Sequence, residues 1–468
     1  MAKTSNLVVV GQGAAGLAAA LSAAQTARAQ GLPLHITLVE KATAVEAGGN
    51  TRWTPAYMRM AAPDRVEAGF VHDMLAATGF QGDEAYFARL AADAPATIAW
   101  IGSHGVEFHQ PTYYLAKGPP RIQPVGGGEV IHRTLTQAAA AAGVVFRYSC
   151  KVEKPVASDA GAPREVVVVP GDGGPANIPA DAVILACGGF QGDGAMMREH
   201  FGIGGELMPL LAPRARFNTG DGIRLALAQG ADLAGDWNGM HAEPVDPRSS
   251  NSAPVVLVYP YGIVVDETGR RFFDEGAGLV HETWETFARH LHFALPGRRA
   301  YAILDRRLLD VPEWQRATRS EVPPHRADTL DALAHEIGVD AGNLAATVAA
   351  YNAACVGDPQ SFDATRCDGL AASGGLQPPK SNWARAIVEP PFLAWPMIGA
   401  IAYTFGGLAT NERAEVLRDG RAIPGLYAAG EITGHFHGTA PNAVSVLRAF
   451  VFGRIAGQQA VAYLGGTE

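Results

Sequence analysis

The 468-residue chain predicts an α/β fold in which a Rossmann-like dinucleotide-binding domain is built from both chain ends, with an α+β capping domain inserted between them. Three observations carry this expectation. A Gly-rich turn near the start joins an apolar strand pattern to an Ala/Leu-rich helix pattern. A second buried-strand pattern, Ala182–Ala186, stops at Cys187-Gly188-Gly189-Phe190. A strand and turn, Gly425–Glu431, followed by a helix from about Asn442 to Leu464, closes the chain.

The first element is the strand Leu7-Val8-Val9-Val10, which runs into Gly11-Gln12-Gly13-Ala14-Ala15-Gly16 and a helix continuing to about Gln30. Gly11 allows a tight turn, Gly13 lets a pyrophosphate approach the backbone, and Gly16 lets the helix pack closely on the strand. The helix N-terminus faces such a phosphate with free N–H groups and the positive end of its dipole. A second apolar run, His35–Val39, ends at Glu40, which is placed to accept hydrogen bonds from ribose hydroxyls. Strand, turn, helix, second strand and terminal acid in that order distinguish this segment from a Gly-rich turn without a ligand.

A small-residue segment, Glu46–Trp53, follows, and then helical patterns through about Gly105. A Pro/Gly-rich loop, Gln110–Gly128, carries Tyr113, Tyr114 and Lys117 and leads to a helix, Glu129–Ala142. Strands are expected near Val144–Tyr148 and Glu165–Val169, with the turn signal Gly171–Pro175 suggesting a hairpin region. Asn218-Thr219-Gly220-Asp221-Gly222 opens a further helix and offers a second place where backbone N–H groups meet a phosphate or ring edge. From about Met240 to Trp383 the composition becomes more charged and aromatic. The expected organisation is a first dinucleotide-binding part over 1–239, a capping substrate domain over 240–385, and a second binding part over 386–468. Assembly from both ends points to a flavoprotein rather than an NAD-only dehydrogenase, whose binding unit is usually contiguous.

Charge and composition exclude several classes. A net charge of −9 provides no electrostatic footprint for nucleic acid or anionic lipid. The four cysteines, Cys150, Cys187, Cys355 and Cys367, form no CxxC pair, haem-attachment or iron–sulfur motif, and fit a reducing compartment. No apolar run is long enough to span a bilayer, and the short lead before the first strand predicts no signal peptide. A cytoplasmic setting without membrane insertion is the expectation. The His and Tyr spacings predict no metal site.

With these segments in hand, the chain resembles the flavoprotein subunits of the fumarate reductase and succinate dehydrogenase family over nearly its full length. The resemblance lies in Gly11–Gly16, Glu40-Lys41, Gly48-Gly49-Asn50-Thr51, Ala186–Phe190, Thr219–Gly222, Gly269–Glu275, Gly406-Gly407-Leu408, Gly430-Glu431 and Phe452–Gly457. Pro378–Ala384, Tyr403–Leu408 and Gly126–Gly128 look most like the tricarballylate dehydrogenase branch. The resemblance implies FAD, with Glu40 on the ribose, Gly48 to Thr51 near the pyrophosphate and flavin, Glu431 on the ribityl chain, and Ser445, Val446 and Leu447 near the pyrimidine edge. The implied cofactor set also takes in Gly13, Ala14, Ala15, Lys41, Val152, Gly188, Asp221 and Gly430. Membrane-bound members carry a flavin-linking histidine where Ala42 and Thr43 stand here, so FAD is expected to be non-covalent.

Family fumarate reductases use two histidines and two arginines around the substrate. His241 matches one histidine. The proton-moving arginine belongs near Leu279–His281, where His281 is the nearest group able to carry a proton. Tyr403 replaces the second histidine, and the carboxylate-clamping arginine falls at about Ala440 or Pro441. Loss of bidentate arginines disfavours dicarboxylates.

Candidate catalytic residues are therefore His241, Tyr403 and His281. His241 is either a donor to a developing enolate oxygen or a core histidine satisfied by backbone. Tyr403 is a donor, a base or a packing aromatic, and His281 titrates near neutrality. Arg52 and Arg448 either hold substrate or make structural ion pairs. One of His435 and His437 is expected to line the pocket, with His437 the candidate for substrate contact, and Tyr113 and Tyr114 are placed to cover it.

Together these features predict an FAD-dependent dehydrogenase that desaturates a C–C bond next to a carboxylate or ketone of a small organic acid. The flavin takes the hydride and the protein supplies the acid or base. Electrons would pass to a separate acceptor, whether quinone, electron-transfer protein or oxygen. The alternatives are a soluble reductase of an unsaturated acid and, from another class, a flavin-binding protein without turnover.

Overall fold

The computed structural model describes residues 4–111, 115, 118–157, 162–171 and 173–466. Its central sheet has six strands in the order Glu415–Arg418, Arg421–Ala428, Ala182–Leu185, Ser5–Val10, Leu34–Val39 and Val145–Arg147. All pairings are parallel except the outermost, Glu415–Arg418 against its neighbour. A parallel sheet must be covered on both faces. Leu7, Val8 and Val9 are accordingly all inaccessible, Leu7 and Val9 packing in one core cluster and Val8 in another. Burying each such side chain contributes roughly 1.5–3 kcal/mol.

One face is covered by the opening helix (Ala14–Gln30) and the closing helix (Ser445–Leu464), which pack on one another. Their approach is set by small residues. A Cβ on Gly453 would lie 2.4 Å from the Ala15 carbonyl oxygen, and one on Gly457 would lie 2.3 Å from that of Ala19. The two ends of the sequence thus meet over the same strand ends, as the two glycine-bearing segments predicted.

A second sheet is antiparallel and runs Met240–Val245, Phe392–Thr404, Ala300–Leu304, Ile263–Asp266, with His325–Ala327 also pairing the 13-residue strand Phe392–Thr404. The helix Val280–Phe293, here the cap helix, packs across Met240–Val245 and Phe392–Thr404. Its start is fixed by Glu282, whose carboxylate accepts the Leu279 N–H at 3.1 Å. A third, three-stranded antiparallel sheet contains the expected hairpin, Pro163–Pro170 with Ala176–Pro179. No helix of the described residues is long and apolar enough to cross a membrane. All four cysteines are free thiols.

Candidate active site

The strand ends of the central sheet open into a cleft that encloses about 2090 Å³ of space, its mouth included, and continues under the antiparallel sheet. On the dinucleotide side, Gly11 has φ +102°, and a Cβ there would stand 2.5 Å from the Ala186 carbonyl. A Cβ on Gly16 would meet the Gly11 carbonyl at 1.8 Å, so Gly16 supports the turn from beneath and does not reach the cleft. Gly13, Ala14 and Ala15 do line it. Gly13 provides no side-chain cap, and the opening helix has no acid in its first turn, leaving its positive end directed at the cleft.

Glu40 is 8% exposed; its two oxygens accept the Gln12 N–H at 2.9 Å and the Ala42 N–H at 2.8 Å. Burial raises its pKa, against those backbone donors. Lys41 and Asp221 line the cleft as an ion pair of 2.8 Å. Gly49, Asn50, Thr51, Val152, Gly188, Gly430, Glu431, Ser445 and Val446 line it as well. Thr51 Oγ1 accepts the Ala14 N–H at 2.9 Å, which ties the small-residue segment to the Gly-rich turn. Gly48 and Leu447 stand behind this wall: Gly48 turns with φ +116° against His132, and Leu447 is fully buried in the core.

The donors fit FAD. Gln12 Oε1, Asn50 Oδ1 and Arg448 Nε are buried cleft-lining atoms with no hydrogen-bond partner. Left unmet, each costs about 1–3 kcal/mol, so the cleft is built for a polar ligand.

The antiparallel sheet supplies the other wall. His241 and Tyr403 are cross-strand partners, with ring centroids 5.0 Å apart, and the register shifts immediately after His241. Such a bulge beside a functional residue re-aims side chains. His241 Nδ1 lies 2.7 Å from Glu285 Oε2 and its Nε2 lies 3.2 Å from Glu243 Oε1. Burial alone would lower the His241 pKa; the two carboxylates overcome it and bring the value up to about 10. His241 is therefore an imidazolium donating from both ring nitrogens. Glu243, in turn, is held below its usual value by His241 and, more weakly, by Arg319, against its own burial.

His281 has the opposite electrostatics. Burial lowers its pKa and the nearby Arg121 adds to the effect, with Glu282 opposing, which keeps the ring neutral at neutral pH. Tyr403 is pushed far above the ordinary phenol value by burial and by the Glu285 carboxylate, against Arg448 and Ser445. It is a hydrogen-bond donor at neutral pH, and the base alternative is set aside.

The cleft gathers His241, Tyr403, His281 and Arg448, and it also gathers residues the sequence reading passed over: Arg121, Glu243, Trp284 and Arg319. Glu243 follows His241 by two on one strand face, and His281, Trp284 and Glu285 share the i, i+3, i+4 stripe of the cap helix. Those spacings were the available signal. Arg121 is buried beside the cleft with its guanidinium carbon 3.9 Å from the Tyr57 ring centroid; nothing in its sequence surroundings marked it.

Two expectations are corrected. Arg52 does not reach the cleft, because Glu129 and the Val45 carbonyl hold its guanidinium outside. Neither His435 nor His437 lines the cleft. His435 is buried, stacked 3.5 Å from Tyr86 with its Nε2 bonded to Thr410 Oγ1 at 2.8 Å, so packing directs that loop's rings inward. Tyr113, Tyr114 and Lys117 lie outside the described residues. Among the described residues no three His, Cys, Asp or Glu side chains gather to hold a metal ion.

Residues 6–446 match the family model described as FAD binding domain. A probable fumarate reductase, Ifc3, of Shewanella frigidimarina (strain NCIMB 400) is 28% identical over 483 residues, covering 98% of this chain and 75% of its own length. An NADH:acrylate oxidoreductase of Vibrio harveyi is 31% identical over 294 residues, which cover 59% of this chain and only 26% of that relative. The open conformation of a flavocytochrome c3 fumarate reductase superposes with a TM-score of 0.78 at 26% identity, over 99% of this chain and 79% of that one.

Proposed function

The chain belongs to the FAD-binding domain family and is an FAD-dependent oxidoreductase of the fumarate reductase flavoprotein type, and from that premise we propose that it desaturates the C–C bond next to a carboxylate or ketone of a small organic acid. One observation carries the reading: two cleft histidines are driven in opposite directions, His241 up to about 10 and His281 down. In one cleft, a histidine kept charged and another kept neutral are suited to the separate roles of charge stabiliser and base.

In this reading the neutral His281 takes the proton from the carbon next to the carbonyl. Tyr403 donates a hydrogen bond to the oxygen on which negative charge builds, and the His241 imidazolium, both of its N–H groups held by Glu243 and Glu285, places positive charge beside that oxygen, which is where preorganised charge lowers a barrier most. Glu243 and Glu285 hold the imidazolium charged and oriented. Arg121 and Arg319 give the cleft the positive field that draws a carboxylate, from positions other than those the family resemblance implied. FAD, when bound, would supply the hydride acceptor, with a separate acceptor for its electrons. FAD would be held by the Gly11–Ala15 turn, Glu40, Asn50 and the start of the closing helix, without a covalent link.

The opposite direction is favoured by the likeness to fumarate reductases, which covers 98% of this chain for the probable fumarate reductase and 99% for the flavocytochrome c3 fumarate reductase structure. Anaerobic mixing separates the two. Bleaching of the flavin band by tricarballylate, a saturated dicarboxylate or an oxo-cycloalkane carboxylate supports desaturation. Reoxidation of dithionite-reduced protein by unsaturated acids, with no bleaching by any saturated one, replaces it with reduction. Silence toward both sets would leave a flavin-binding protein without turnover.

A further inference from the structure

Arg448 is the fourth residue of the closing helix, 1% exposed, and lines the cleft with Ser445 and Val446. Its Nη1 donates to the Thr433 carbonyl at 3.2 Å, and its guanidinium carbon lies 4.0 Å from the Phe436 ring centroid. Its Nε is buried with no hydrogen-bond partner. No carboxylate of the described residues forms an ion pair with it. An acid it influences, Glu431, spends its oxygens on the Thr404 N–H at 3.2 Å and Asn218 Nδ2 at 3.3 Å. The helix start adds to the same field: the 20-residue helix has no side-chain cap at Val444 and no acid in its first turn. A buried guanidinium without an anion is costly, so the site is made for negative charge supplied from outside the chain.

Two sources of that charge exist, a substrate carboxylate and the cofactor itself. Arg448 stands on the dinucleotide wall, where Ala449, the residue after it, and Ala15 both border Gly430, the turn residue after the strand Arg421–Ala428. Arg121 and Arg319, the other arginines that line the cleft, come from other segments. We propose that Arg448 and the N-terminus of the closing helix form the counter-charge site for reduced FAD. Uptake of two electrons and one proton leaves the ring system with one negative charge, and Arg448 is the buried cation that receives it. The inference rests on FAD binding and needs no particular substrate.

The test uses holoprotein, and its deciding measurements need no substrate. The midpoint potential and the dissociation constant for sulfite, a probe whose adduct also leaves negative charge on the ring, are measured for wild type, Arg448→Lys and Arg448→Gln. Arg448→Gln should weaken sulfite binding at least tenfold and lower the potential by at least ~30 mV, the two-electron equivalent of tenfold. Arg448→Lys should keep most of both. Should either variant fail to retain FAD, wild type alone decides: its reduced form should keep the spectrum of the anionic ring as pH is lowered across the range in which free reduced FAD, run in parallel, becomes protonated. An unchanged potential and sulfite affinity in Arg448→Gln, or protonation of the wild-type reduced form alongside free FAD, overturns the proposal. A variant altered only in the spectral shift caused by fumarate overturns it in favour of a substrate-holding role.

Discussion

His241 differs from an ordinary strand histidine because two carboxylates 2.7 and 3.2 Å away compensate its burial. Its folded pKa of about 10 lies above the ordinary 6.5. Its stabilising contribution is therefore complete below about pH 6.5 and is lost as pH rises through about 10. As the positive charge beside the developing oxyanion it acts only while that proton is on, so the rate of flavin reduction by a saturated acid should fall as pH rises through about 10. A profile flat to pH 11 would remove the imidazolium from the mechanism. His241→Ala should slow that step by about 10²–10³-fold, the range for a lost oxyanion-stabilising group, with FAD content unchanged. Tyr403→Phe should slow it about tenfold, roughly 1.4 kcal/mol of barrier. A wild-type rate in stopped-flow measurements would return Tyr403 to packing.

The cap helix Val280–Phe293 is the element that converts a sheet face into a site, since its stripe delivers His281 and Trp284 to the cleft and Glu285 to His241. Glu285→Gln keeps the shape and removes one of the two charges behind His241. The high-pH inflection of the rate should then move down, toward the ordinary histidine value, and the melting temperature should fall with it, because part of the stability carried by the His241 proton is lost. An inflection that stays put would show that Glu285 does not set the His241 proton. The opening and closing helices test packing instead. Gly453→Val places a side chain where a Cβ alone would already lie 2.4 Å from the Ala15 carbonyl. Overpacking of that kind costs about 1–3 kcal/mol, and separating these helices also disturbs the turn that holds the dinucleotide. Both the melting temperature and the FAD content should drop; a variant with full FAD and wild-type melting would contradict that account.

At the scale of the whole molecule, the cleft joins segments from both chain ends to the antiparallel sheet, so bound FAD should stabilise all of it. Free FAD at a hundred times its dissociation constant adds about 2.7 kcal/mol, and the melting temperature of FAD-stripped protein should rise on reloading. A melting temperature indifferent to FAD would mean that Gln12, Asn50 and Arg448 do not meet the cofactor. The amino-acid order by itself determined the α/β class, the Gly11–Gly16 turn, the strand-end Glu40 and the pairing of the two termini, because each depends on local periodicity or on glycines within a few residues of one another. Only the tertiary structure decided the chemistry of the opposite wall. Arg121, His241, Glu243, His281, Arg319 and Tyr403 come from remote segments, and Arg52 and His437, though close in sequence to cleft loops, turn away from it. Whether a histidine is charged depends on burial and on which carboxylate folds against it. Glu285, 44 residues along the chain from His241, is brought there by packing that no local pattern encodes.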